Sequence, residues 1–154
     1  MPPPAPVRTL SGQELALLTA RPETRISFIT IVTIVLGAIR GFRNGWPPTS
    51  LTLVAGGVLA ILGMVRFGLS ISTTAGSGER VQPSFGGILP YLYGLYLFAY
   101  EGLWSIRGLV QQFTLLHLLT TLLFIYFGYR VVYWTWQLTE LADGLRTGSI
   151  VVSR

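Results

Sequence analysis

At 154 residues the chain has room for one domain, and 51% of it is hydrophobic while only 11% is charged, against about a quarter charged in an ordinary soluble domain. With a mean hydropathy of +0.58, this excludes an ordinary soluble globule and predicts an all-α integral membrane protein. The net charge of +5 resides in arginines scattered singly beside apolar stretches, which reads as phospholipid head-group anchoring rather than nucleic-acid binding, and the lack of cysteine excludes disulfides, thiolate metal sites and cysteine nucleophiles.

The first ten residues, MPPPAPVRTL, are proline-rich and expected to be extended or disordered. They lack the basic start and apolar core of a signal peptide, so the first span is expected to stay in the membrane. Ser11 and Glu14 then spell a capping box, with Leu10 and Leu15 at the staple positions. This predicts a short amphipathic surface helix ending near Ala20, because Pro22 disfavours helix at Arg21. Residues 1–25 thus read as a cytoplasmic N-terminal segment.

Four spans follow, over about 26–42, 50–72, 85–104 and 113–136, grouped as two helical hairpins in a bundle covering 26–137. Span one, Ile26 to Phe42, is rich in β-branched residues. In lipid, however, only a helix satisfies its backbone. Asn44-Gly45 with Pro47-Pro48 marks a turn. Span two carries Gly56, Ala60 and Gly63 on a face that admits close helix approach. The polar stretch from Ser72 to Ser84 is a flexible connector. Span three places Tyr93, Tyr96 and Tyr100 at helical spacing, tolerates Pro90 near its start, and holds Glu101, the one acid within a predicted span. SIRGLVQQ connects to span four, beyond which Leu138, Leu141 and Leu145 continue a helical stripe until Gly148. Residues 138–154 read as a cytoplasmic tail.

Arginine counts set the orientation. Arg21, Arg25, Arg66, Arg80, Arg130 and Arg146 lie on the side of the termini, and Arg40, Arg43 and Arg107 on the other. Six against three places both termini in the cytoplasm. The resemblance of Ala38–Gly41 to Ser105–Gly108, and of Phe67-Gly68 to Phe127-Gly128, allows a parallel repeat of hairpins, with chance likeness between apolar segments as the competing reading.

Three groups of side chains are candidates for function. His117, the chain's one histidine, can as a neutral imidazole ligate haem iron or chlorophyll magnesium; Met64 is available as a second axial ligand but by this topology lies in the opposite half of the bilayer. The competing reading is a histidine hydrogen-bonded to Thr114, Thr120 or Thr121. Glu101 is expected to pair with Arg40, Arg107 or His117 in a polar cluster that holds the hairpins together. A proton or ion path would need a second acid, which the spans lack. Arg66 and Arg130 are expected to snorkel to the interface as lipid head-group anchors within an aromatic belt that includes Tyr126, Tyr129, Tyr133, Trp134 and Trp136.

No metal-ligand cluster, nucleophilic triad or phosphate loop is apparent, so the chain is read as a non-enzyme. The favoured function is a non-catalytic accessory, assembly or stabilising subunit of a larger membrane complex, respiratory or photosynthetic. Its partners are membrane lipids and other membrane subunits or further copies of itself. The alternatives are a pigment- or haem-binding protein through His117, or a small transporter or channel using Glu101. The absence of lysine points to a GC-rich bacterial genome, and so to a bacterial inner or thylakoid-type membrane.

Overall fold

A computed structural model describes residues 7–77, 87–111 and 113–153, and the structure is mostly helical. Its elements are a strand β1 (Arg8–Ser11), helices α1 (Gly12–Asn44), α2 (Pro48–Ser77) and α3 (Ile88–Tyr96), a π-helical segment (Leu97–Trp104), helices α4 (Ile106–Gln111) and α5 (Leu115–Thr147), and a strand β2 (Ile150–Ser153). The segment 1–6, most of the connector expected over 72–84, and Arg80 lie outside the described residues.

The expected break between a surface helix and span one is not present. Ser11 caps α1 as the sequence predicts: its hydroxyl accepts from the Glu14 amide at 3.2 Å, and the Glu14 carboxylate accepts from the Ser11 amide at 2.9 Å. The helix then runs for 33 residues through Pro22. Proline removes one main-chain hydrogen bond, a loss that the packing of neighbouring helices can outweigh. Leu15 is buried, whereas Leu18, expected on the same face, is exposed.

α1 ends at Gly45, whose φ of +72° is cheap only for glycine. Trp46 also takes a positive φ and folds its ring onto Gly41, where a Cβ on the glycine would strike the indole. α2 then returns along α1.

The second expected hairpin differs from a simple pair of spans. Span three is α-helical only to Tyr96 and then widens into π-helix for eight residues. The link SIRGLVQQ contains the short helix α4. Span four continues 11 residues past Trp136, so the first part of the expected tail is helix, and Gly148 ends it at φ +77°.

α3 and the π segment pack along α5, with α1 on α5 and α2 on α3 closing the bundle. Backbones approach most closely where the π segment meets α5. A Cβ on Gly128 would collide with the Phe98 main chain, and one on Gly102 would lie 2.7 Å from Ile125 Cγ1. The core has two apolar clusters: Leu53, Ala60, Tyr93, Leu97 and Phe124 toward the loop end, and Ile26, Met64, Phe67, Val131, Trp134 and Leu138 toward the termini.

The outward faces are apolar as well. On α1, Phe28, Ile31, Val35 and Ile39 recur at helical spacing and are at least half exposed. α1, α2 from Pro48 to Ile71, and α5 are each long and apolar enough to cross a membrane. A bundle apolar both inside and outside is consistent with a membrane protein.

The first and last strands meet. β1 and β2 pair in parallel, with Arg8 opposite Ile150 and Ser11 opposite Ser153, and Arg8 N donates to Ser149 O at 2.8 Å. Only two residues separate α5 from β2, so β2 folds back and lays Ile150 against Gly144.

Candidate functional site

Glu101 lies on the π segment and is 7% exposed. Arg40, near the end of α1, donates from Nη1 to Oε2 at 3.0 Å, and the Tyr96 hydroxyl donates to Oε1 at 2.9 Å. Both carboxylate oxygens are therefore engaged, one by a charge-assisted bond. Arg40 is 43% exposed, so its free guanidinium face reaches the surface. Tyr93, Tyr96 and Tyr100 stack in sequence, with centroids 6.4 and 5.5 Å apart. Below them the Tyr93 hydroxyl donates to the Leu53 carbonyl at 3.0 Å and lies 2.8 Å from the Thr33 hydroxyl. One ladder of hydroxyls and one carboxylate thus join α1, α2 and span three.

Of the three partners expected for Glu101, the structure brings only Arg40 to it. The Arg107 guanidinium instead lies 5.8 Å from the centre of the Trp104 ring. His117 stands in the first turn of α5, half-buried beside Gly108. Thr114 caps its amide at 3.2 Å, Thr120 bonds the Leu116 carbonyl, and Thr121 bonds Ser105. The threonines expected for the imidazole are thus occupied elsewhere, and among the described residues the ring has no hydrogen-bond partner.

Met64 is buried in the cluster around Val131 and Leu138, and His117 precedes Val131 on α5 by about 21 Å of helix at 1.5 Å per residue. The structure keeps the two apart, as the expected topology does. Among the described residues no three histidine, aspartate or glutamate side chains gather as a metal site.

Arg66 is exposed on α2. Arg130 does not simply reach for water: its guanidinium lies 4.8 Å from the Trp134 ring and 5.5 Å from Tyr126, and its buried Nε has no hydrogen-bond partner. Such cation–π contacts are worth about 0.5–2 kcal/mol according to how dry they are.

Sequence reasoning missed a groove of about 400 Å³ between the start of α1, α5 and the strand pair. Arg8, Arg21 and Arg25 line it, with Trp134 and Glu140 from α5 and Ile150 from β2. The Arg25 guanidinium lies 5.4 Å from the centre of the same Trp134 ring, so that indole contacts a cation from α1 and one from α5. Among the described residues no carboxylate forms an ion pair with any of these three arginines. Part of the signal was in the sequence, since Leu18, Arg21, Pro22 and Arg25 recur on one helical face. Arg8 was not legible there, because its place depends on a strand pairing across nearly the whole chain.

No family model, curated protein or solved structure matches this chain.

Proposed function

We propose that this protein is a non-catalytic accessory or assembly subunit of a larger membrane complex, with four spans in two hairpins and both termini in the cytoplasm of a bacterial cell. Span three, α-helical and then π-helical over 17 residues from Ile88 to Trp104, is the fourth crossing. The excess of arginine at the strand end supports the orientation.

The observation that carries the functional reading is the state of Glu101. The acid expected within the bilayer is bound at both oxygens by residues of its own chain. It serves to fasten span three to α1 rather than to receive a substrate or an ion. What remains for other molecules is the outward apolar surface of α1, α2 and α5, which is wide relative to the buried share of these spans.

Sizing in mild detergent tests the reading. Solubilised from its native membranes, the protein is expected to run in a discrete species far larger than 16.9 kDa plus its micelle. Produced alone in a foreign host, it is expected to run as a small species. A stable small species from both sources would overturn the proposal.

A further inference from the structure

We infer that the groove between α1, α5 and the strand pair is a binding site for the phosphate head group of an anionic phospholipid. Three observations lead there. The first is charge: Arg8, Arg21 and Arg25 face one space with a single carboxylate, Glu140, so the groove carries a net charge of about +2. Arg130, 4.8 Å from the centre of the Trp134 ring, adds a further cation next to the groove wall. Among the described residues none of the three guanidiniums is in a close ion pair, Glu14 acting on Arg8 only at longer range, so an anion in the groove meets cations with donors to give. Guanidinium is also the group whose forked donors match phosphate oxygens.

The second observation is position. Arg25 immediately precedes the apolar run that begins at Ile26, and Trp134 lies three residues before Gln137, where the apolar run of α5 gives way. The groove therefore sits at the depth where head groups lie and where interfacial tryptophan is found. This rests on the reading of the chain as a membrane protein, but not on its having a partner subunit.

The third is the mixed wall. Leu18, Leu141 and Ile150 line the same space as the arginines, which suits the glycerol and first methylenes of a lipid and offers nothing to free phosphate. Glu140, on the same wall, can receive hydroxyl donors from a head group such as glycerol.

The test uses the full-length purified protein in detergent, titrated with dioctanoyl-phosphatidylglycerol, dioctanoyl-phosphatidylcholine or inorganic phosphate while thermal unfolding is followed. Phosphatidylglycerol is expected to raise the unfolding midpoint saturably, and the other two to raise it little. Arg21→Gln and Arg25→Gln are each expected to weaken the phosphatidylglycerol effect about fivefold in concentration, and Arg43→Gln, at the loop end of α1, to leave it unchanged. If a glutamine variant does not fold, Arg25→Lys keeps the charge, loses the fork, and is expected to weaken the effect less.

An equal shift with phosphatidylcholine would overturn the inference, as would an undiminished shift in the groove variants. An equal shift with inorganic phosphate would assign the groove to free phosphate and overturn the lipid. A protein that runs as a small species from its native membranes as well, yet shows the selective shift, would refute the accessory-subunit reading while leaving this one standing.

Discussion

At the scale of single residues, the structure turns on how a carboxylate survives among apolar helices. Glu101 does so because Arg40 and Tyr96 each supply a donor, and because Arg40 keeps one side at the surface. Removing Arg40 as Arg40→Met leaves a buried charge held by one phenol, expected to cost about 1–3 kcal/mol. Glu101→Gln keeps an acceptor for Tyr96, drops the charge, and is expected to cost less. Combined, the two substitutions should cost less than the sum of their single effects, by about 0.5–3 kcal/mol for groups in direct contact. Reversible unfolding of the four proteins in detergent measures this, and strict additivity would show that the pair is not a tie. The sequence made Glu101 conspicuous and offered three partners. Choosing Arg40 over Arg107 and His117 depended on helix rotation, which residue spacing alone does not determine. Glu23 shows the same limit: no pattern foretold that its carboxylate would press on Gly68 with a buried oxygen lacking a hydrogen-bond partner.

At the scale of elements, the apolar runs located the long helices, and the capping box and Gly148 marked the outer limits of α1 and α5. The failures have physical causes. Pro22 was read by the rules of isolated helices, yet within a packed bundle α1 continues through it. The widening of span three into π-helix has no sequence period of its own. It coincides with the stretch where Gly102 and Gly128 let two backbones touch, so packing against α5 accompanies the change. Gly128→Val should therefore drive a branched side chain into the Phe98 main chain and cost about 1–3 kcal/mol or more. Gly12→Ala, where a Cβ meets open space, should be neutral or slightly stabilising. The unfolding midpoints of the two variants check this, and equal effects would contradict the close approach.

At the scale of the whole molecule, the two ends of the bundle have different chemistry. The loop end carries the tyrosine ladder and the Arg40–Glu101 tie, and the strand end gathers arginines around Trp134. The strand pair completes that second end by carrying Arg8 and Ile150 to the groove. The strand pair was not legible beforehand, because two four-residue strands from opposite termini carry almost no local signal. The membrane character was legible at once, since it follows from composition alone. What joins the scales is an economy of polar groups: most that lie between the ends bind within their own chain, and the outward surface is left apolar. The central claim is that part of this apolar surface is covered by another protein. Photo-crosslinking in native membranes, with the reactive group placed in turn at Phe28, Ile31, Leu62, Leu119 and Leu122, addresses it directly. These positions are all about half exposed or more. Discrete protein adducts at some of them and lipid adducts alone at the others are the predicted result. Lipid adducts alone at every position would contradict the claim.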